Sequence, residues 1–170
     1  MNGKVYIIVG ARGSGKSTII KNLIKNVDKD RLFCYDVQTE YGLGDFESLP
    51  DIDDFLTLML PAKNSVIIYE EATAFFSNRG SNKAMRKHLI DARHRNNQIF
   101  LVFHSIRSIP LYIYDLSDYV YVLQTRDKFS FVESKHEVLL NAFKEVMNKP
   151  RTKYPYINFE FVDLSKPLEQ

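Results

Sequence analysis

Eight residues near the start of the chain have the types and the spacing that hold a triphosphate. They are Gly10, Ala11, Arg12, Gly13, Ser14, Gly15, Lys16 and Ser17, which read G-x-x-x-x-G-K-S, and Thr18 follows them. The glycines bring backbone N–H groups close to phosphate oxygens, Lys16 can reach the β- and γ-phosphates, and the Ser17 hydroxyl can ligate Mg²⁺. The motif predicts that residues 10–18 bind ATP together with Mg²⁺.

The flanking sequence agrees with this P-loop. Residues 4–9 are an apolar run of strand length, and residues 18–25 have helical spacing. Strand, glycine loop and helix are the arrangement that the motif requires, with the positive end of the helix dipole facing the phosphates. A glycine-rich turn that binds nothing is the alternative, and this frame disfavours it.

Two adjacent carboxylates stand where a strand is expected to end. Glu70 and Glu71 follow the apolar run of residues 66–69. A P-loop enzyme that hydrolyses ATP needs a carboxylate beside Mg²⁺ and a group that activates water. We expect Glu70 to support the metal and Glu71 to act on the water, although the first acid at such a site is usually Asp. A charged strand end without a role is the alternative.

Alternating apolar strands and helices surround these residues. Strands are predicted at about 4–9, 31–36, 65–69, 99–103 and 119–123, and helices at about 16–26, 51–60 and 82–95, the last with a buried stripe of Met85, Leu89, Ile90 and Ala92. This alternation is typical of a mainly parallel sheet covered by helices. We expect an α/β fold, specifically a RecA/ASCE-like P-loop NTPase built as a three-layer sandwich.

The C-terminal part is less regular. Residues 129–132 are expected to pair back on the fifth strand. Residues 134–137, Ser-Lys-His-Glu, read as a capping box that opens a helix to about residue 147. Ile157, Phe159 and Phe161 alternate with polar residues, which is the pattern of a half-exposed edge strand.

Length and composition limit the classes of protein. The chain has 170 residues, a net charge of +2 and a single cysteine, Cys34. This length suits one ATPase domain over residues 1–170, with a core at about 4–125 and the C-terminal helix and edge strand at about 133–163. No apolar run approaches the roughly 20 residues of a membrane span, and neither a signal peptide nor an intrachain disulfide is expected. A reducing, cytosolic setting is the expectation.

Charge and aromatic residues are unevenly distributed. An acidic stretch from Glu40 to Asp54 precedes a basic one from Arg79 to Arg95. The basic residues could meet DNA phosphates or the acidic face of a neighbouring subunit, or they could form a solvated helix surface. The 10 Tyr and 12 Phe residues are expected mainly in the core, with stacking on single-stranded nucleic acid as the alternative.

Several stretches taken together resemble the FtsK/HerA superfamily of P-loop ATPases, over about residues 4–125. They are the P-loop, Asp36-Val37-Gln38-Thr39-Glu40-Tyr41 after strand two, the Glu70-Glu71 pair, Ala92-Arg93-His94-Arg95 before strand four, and His104-Ser105 after it. More narrowly, the chain is similar to the genome-packaging ATPases of double-stranded DNA viruses and phages, and to the related Zot-type phage assembly ATPases. The P-loop alone identifies only the wider group.

This resemblance implies roles for further residues. Arg93 or Arg95 would be an arginine finger that completes the site of a neighbouring subunit, which implies a ring of copies, a hexamer or a pentamer. His104 or Ser105 stands where the family has a polar γ-phosphate sensor, usually Gln. Judged as residues alone, the arginines fit equally well as charges at a helix C-terminus, and His104 as a structural side chain.

The expected function is that of an ATP-hydrolysing motor that moves double-stranded DNA in viral genome packaging. The resemblance implies double-stranded DNA, further copies of the chain and a capsid or portal-vertex protein as partners, in the host cytoplasm or on the virion. Three alternatives remain open: a Zot-like phage assembly ATPase, a P-loop kinase acting on a small acceptor, and a nucleotide-binding interaction protein without turnover. Hydrolysis without an added acceptor separates a motor from a kinase.

Overall fold

Six strands form one central sheet in the computed structural model, which describes residues 2–35, 52–77, 79–150 and 157–165. The strands are β1 (Lys4–Val9), β2 (Leu32–Tyr35), β3 (Val66–Tyr69), β4 (Gln98–Phe103), β5 (Tyr119–Leu123) and β6 (Phe159–Asp163). Their order across the sheet is β2-β3-β4-β1-β5-β6. The first five strands are parallel and β6 pairs antiparallel with β5. The predicted mainly parallel sheet and its C-terminal edge strand are therefore confirmed.

Six α-helices connect or cover the strands in the ranges that the structure describes. They are α1 (Lys16–Ile24), α2 (Ile52–Met59), α3 (Thr73–Ser77), α4 (Arg79–Asp91), α5 (Phe129–Lys135) and α6 (Leu140–Asn148). Short 3₁₀ turns lie at Lys29–Arg31, Ile106–Ser108, Leu111–Leu116 and Glu137–Leu139. No helix in the described ranges is long and apolar enough to cross a membrane.

Each face of the sheet has its own apolar core. In β1, Val5, Ile7 and Val9 point to one face, while Ile8 points to the other, where it packs with Ile20 of α1. The first face is covered by residues of α2, α4 and α6, such as Phe55, Met85 and Phe143. Strands buried on both faces read as continuous apolar runs, which is why these strands were visible in the sequence. Helices on both faces give the three-layer α/β arrangement expected from the sequence.

The strand order determines which residues can meet at the carboxyl edge of the sheet. β1 lies between β4 and β5, and its last residue, Val9, is in register with Phe103 of β4 and Val122 of β5. The segments that follow these three strands therefore begin next to one another. β3 lies on the far side of β4 and ends at Tyr69, directly before the two glutamates.

The expectation for residues 129–137 was wrong. Residues 129–132 begin α5 instead of a strand, because β6 already occupies the free edge of β5. Ser134 does not cap a helix: it lies within α5, and its hydroxyl donates to the carbonyl of Phe131. α5 stops at His136, whose φ of −135° and ψ of 46° are not helical. The following helix, α6, starts at Leu140 with no side-chain cap.

The buried stripe of α4 also differs from the prediction at one position. Met85, Leu89 and Ala92 are buried as expected, but Ile90 is 51% exposed. His88 takes its place in the core. The spacing 85, 88, 89, 92 follows one helical face, whereas residue 90 is turned away from it.

Candidate active site

The P-loop connects β1 with α1 and is tied to the strands on both sides of it. The N–H of Gly10 donates to the carbonyl of Phe103 at the end of β4 (3.1 Å). The N–H of Ala11 donates to the carbonyl of Gln124, just after β5 (2.8 Å). The path of the loop is therefore fixed by the ends of its two neighbouring strands.

Two glycines are required by the shape of this loop. Gly15 has a φ of 99°, a left-handed conformation, and a Cβ added to it would lie 2.7 Å from the Cδ1 atom of Ile157. A Cβ on Gly10 would lie 2.4 Å from Ser14 Oγ and 2.7 Å from the Cβ of Leu123. No other residue fits at either position without displacing these neighbours. No side chain caps the start of α1, and helix starts of this kind are suited to bind phosphate.

Lys16 is held inside the loop. Its ammonium nitrogen donates to the carbonyls of Gly10 (3.0 Å) and Ala11 (3.3 Å), and it lies 3.1 Å from Nδ1 of His104. The residue is only 6% exposed. A β- or γ-phosphate would replace the neutral carbonyls with an anionic partner, which is the stronger acceptor for an ammonium group.

The two glutamates after β3 have different surroundings. Glu70 is nearly buried, and its N–H donates to the carbonyl of Tyr35 at the end of β2 (3.1 Å). The side chain of Glu71 is 43% exposed, and its φ of 53° places the backbone in the left-handed region. This conformation is unfavourable for a residue with a side chain, by about 1–3 kcal/mol, and such residues cluster at active sites.

His104 joins Lys16 to Glu71. Its Nδ1 faces the Lys16 ammonium at 3.1 Å, and its Nε2 lies 2.7 Å from Oε1 of Glu71. Because an ammonium group can only donate, Nδ1 must accept, and the proton of a neutral imidazole then lies on Nε2. This tautomer donates to the Glu71 carboxylate. The three side chains therefore form one hydrogen-bonded chain from the P-loop to the exposed glutamate.

Ser105 does not take part in this chain. Its hydroxyl donates to Oδ1 of Asp127 (2.7 Å) and accepts from the N–H of Arg107 (3.2 Å). Of the two residues considered for the polar sensor after β4, only His104 lies next to Lys16. The assignment of His104 to that role remains a prediction.

The two residues predicted to hold a metal, Ser17 and Glu70, are of types that suit a nucleotide-bound Mg²⁺. Ser17 is the second residue of α1, and Glu70 is the nearly buried carboxylate at the end of β3. Within the described ranges, no group of three or more His, Cys, Asp or Glu side chains could hold a metal ion. Mg²⁺ commonly uses one or two protein oxygens together with substrate phosphates and water, so a hydroxyl and one carboxylate are a suitable set.

Arg93 and Arg95 lie at the opposite edge of the sheet, near the first residues of the parallel strands. Arg93 is paired with Oδ1 of Asp118 (2.7 Å), which Lys4 of β1 also contacts (2.9 Å). Arg95 donates to the carbonyl of Pro61 (3.3 Å). Within one copy of the chain, neither arginine reaches the P-loop, so the prediction of a finger concerns only a neighbouring copy.

Asp118 explains why Arg93 is held where it is. Burial alone would raise the pKa of this carboxyl group. Hydrogen bonds from the Val5 N–H and from Lys4, together with the charge of Arg93, outweigh burial, and the pKa is lowered. Removing a cationic partner would leave this buried carboxylate less well compensated, so the ion pair with Asp118 competes with any second role for Arg93.

A cleft beside the P-loop was not found from the sequence. It is lined by Ala11, Arg12, Gly13 and Ser14 on one side and by Gln124, Arg126 and Asn158 on the other. Gln124 and Arg126 follow β5, so the rule that ligands bind at the carboxyl ends of strands could have indicated them. Asn158 could not be found in this way, because it belongs to the segment before an antiparallel strand.

Some predicted residues lie outside the described ranges. The segment from Asp36 to Tyr41 is one of them. The side chain of Arg79 also lies outside them, although its backbone begins α4.

Known structures with a similar fold include viral genome-packaging NTPases. The genome-packaging NTPase B204 from Sulfolobus turreted icosahedral virus 2 in complex with AMP aligns over 97% of this chain and 95% of its own, with a TM-score of 0.74 and 20% identity. B204, the DNA-packaging ATPase from Sulfolobus turreted icosahedral virus, aligns over 99% and 100%, with a TM-score of 0.69 and 18% identity. The N-terminal domain of zonular occludens toxin from Neisseria meningitidis reaches a TM-score of only 0.48 at 16% identity, a similarity too weak to indicate a shared fold.

Comparison of the amino-acid sequence with known proteins gives no match. No known family model matches the chain. No curated protein is similar to it in sequence. The resemblance expected from the motifs is thus confirmed in three dimensions: the chain has the P-loop NTPase fold, in the form that the viral genome-packaging NTPase B204 adopts.

Proposed function

We propose that this protein is an ATP-hydrolysing motor that moves double-stranded DNA during viral genome packaging, and that the whole chain acts as one ATPase domain. The observation that carries the proposal is the hydrogen-bonded chain Lys16–His104–Glu71 beside the nearly buried Glu70. A fold shared with packaging NTPases supports the choice of this activity among those open to P-loop proteins.

In this mechanism, the P-loop N–H groups and Lys16 bind the β- and γ-phosphates of ATP. Glu71 orients a water molecule and takes its proton as the water oxygen attacks the γ-phosphorus. The bond from that phosphorus to the bridging oxygen breaks, and ADP leaves with the electron pair. A carboxylate that is 43% exposed has access to water, which a buried base would lack.

Mg²⁺ would be held by Ser17 and Glu70. When bound, the ion neutralises charge on the β- and γ-phosphates and so makes the γ-phosphoryl group easier to transfer. The longer Glu at this position, in place of the usual Asp, gives a nearly buried residue the reach to approach a metal.

His104 reports on the γ-phosphate in this scheme. When Lys16 turns towards a phosphate, His104 loses the ammonium group that its Nδ1 accepts from. The imidazole can then move or change tautomer, and the contact from Nε2 to Glu71 changes with it. Nucleotide binding would in this way set the orientation in which His104 holds Glu71 beside the attacking water.

DNA contact and assembly are the remaining parts of the proposal. The exposed cations Lys83, Arg86 and Lys87 of α4 are candidates for phosphate contacts inside a ring of five or six copies. Such contacts do not read the base sequence. An arginine finger, Arg93 or Arg95, from a neighbouring copy and a capsid or portal-vertex protein would complete the motor.

The test is steady-state ATP hydrolysis at low salt, with and without long double-stranded DNA. We expect DNA to raise the rate several-fold, and Glu71→Gln to abolish hydrolysis at an unchanged affinity for a non-hydrolysable ATP analogue. The matched control is Glu133→Gln, a change of an exposed glutamate on α5 that should leave both quantities unchanged.

Two outcomes would contradict the proposal. A rate of ATP hydrolysis that DNA does not change at any salt concentration would exclude the motor. Phosphate transfer to a small acceptor, with an idle enzyme in its absence, would instead identify a kinase.

A further inference from the structure

The Asp127 carboxylate accepts hydrogen bonds from the three residues that directly follow His104. Its Oδ1 accepts from the Ser105 hydroxyl (2.7 Å) and from the N–H of Arg107 (3.3 Å), and its Oδ2 accepts from the N–H of Ile106 (2.8 Å). One carboxylate thus holds three consecutive residues of the turn after β4.

The carboxylate is itself held in place. Asp127 is half-buried, and its own N–H donates to Oγ1 of Thr125, a residue that is 1% exposed. Burial would raise the pKa of Asp127, but the hydrogen bonds from Ser105 and Ile106 lead the contributions that lower it. The group is therefore a fixed, ionised acceptor.

Asp127 lies on the segment between β5 and α5, and this segment also contacts the P-loop. The carbonyl of Gln124 accepts from Ala11 (2.8 Å), and the side chain of Arg126 lines the cleft beside Arg12. The same few residues therefore touch the P-loop at one end and the turn after His104 at the other.

We propose that Asp127 is a positioning residue for His104, holding the turn after β4 so that the imidazole stays between Lys16 and Glu71. His104 is the residue immediately before the three donors, and its side chain is 43% exposed, so packing alone does not fix its direction. The backbone of the turn therefore sets the direction of the His104 imidazole. The kinetic part of this proposal rests on the proposed ATPase activity.

The kinetic test is a double-mutant cycle of Asp127→Asn and His104→Ala. In Asp127→Asn one carboxylate oxygen becomes –NH₂, so either the Ile106 N–H or the Arg107 N–H loses an acceptor at nearly unchanged volume, whichever way the amide is turned. We expect kcat to fall by about tenfold with KM for ATP within about twofold, because the P-loop is untouched. In the His104→Ala background, Asp127→Asn should not lower kcat any further.

The control is Asp115→Asn, an exposed aspartate in the turn Leu111–Leu116, which should leave kcat unchanged. A melting curve identifies a variant that does not fold. If Asp127→Asn is such a variant, Ser105→Ala removes one of the three donors and is expected to give a smaller fall in kcat of the same kind. An equal loss of kcat with and without His104 would overturn the proposal.

A second measurement does not depend on hydrolysis. The chain has four histidines, and the ring-nitrogen signals of His104 can be assigned by their loss in His104→Ala. In the free protein we expect the Nε2–H tautomer in the wild type and a mixture of tautomers in Asp127→Asn. Unchanged His104 signals in Asp127→Asn would overturn the positioning role, whether or not the wild type hydrolyses ATP.

Discussion

Replacing His88 with leucine should stabilise the protein, and more so at acidic pH. His88 is 1% exposed on α4, and its ring lies edge-on to Tyr69 with centroids 6.0 Å apart. In the part of the chain that the structure describes, neither ring nitrogen has a hydrogen-bond partner. Burial, with a smaller contribution from the charge of Arg95 and against that of Asp91, lowers the pKa of His88 from 6.5 to about 4.

The size of the effect follows from that difference in pKa. The unfolded chain binds a proton at His88 near pH 6.5, whereas the folded chain does so only near pH 4. With respect to His88, the free energy of unfolding is therefore highest above pH 6.5 and decreases as the pH falls towards 4. The whole loss is about 3 kcal/mol, of which about 2 kcal/mol is reached by pH 5.

Urea denaturation at pH 7, 6 and 5 measures how the free energy of unfolding depends on pH. At pH 7, His88→Leu should gain about 1 kcal/mol, because it removes two buried nitrogens without partners at similar volume. At pH 5 the gain over the wild type should be about 2 kcal/mol larger. His94→Gln, which changes an exposed histidine, is the control and should follow the wild type. Parallel pH dependences for His88→Leu and the wild type would refute the reasoning.

Three further predictions concern the candidate site and its partners. His104→Gln should keep most of the ATPase rate that His104→Ala loses, because an amide can accept from Lys16 and donate to Glu71; equal rates in the two variants would contradict the hydrogen-bonded chain. If Arg95 is the finger, Arg95→Ala should lower kcat by about 10³-fold or more, and mixing with Glu71→Gln subunits should restore activity; no restoration would exclude a role between subunits. Stimulation by DNA should fall steeply between 50 and 200 mM salt, as measured by rate against log salt concentration, and a flat dependence would exclude phosphate contacts.

The sequence was sufficient for the parts of the site that are local in the chain. The P-loop lies directly after the largely buried β1 and the Glu70–Glu71 pair directly after the fully buried β3, so the apolar run and the motif locate them together. These positions need no knowledge of which strands are neighbours. The match of the five parallel strands to their predicted positions has the same cause.

Features that depend on contacts distant in the sequence could not be predicted. Asp127 reaches Ser105 across 22 residues, and only the adjacency of β4, β1 and β5 brings them together. Residues 129–132 look like a strand, but β5 pairs with β1 on one side and with β6 on the other, so no edge of β5 is left for them. His88 replaced Ile90 in the core because the helix face, and not hydropathy, decided which side chain was buried.

The contact between Ile157 and Gly15 has a consequence for the synthesis of the protein. The P-loop lies in the first tenth of the chain, yet it is braced by Gln124 and covered by a residue more than 140 positions later. While the ribosome still holds the last strand, the loop lacks its cover. A nascent chain can therefore acquire a fully formed nucleotide site only after residue 157 has left the ribosome.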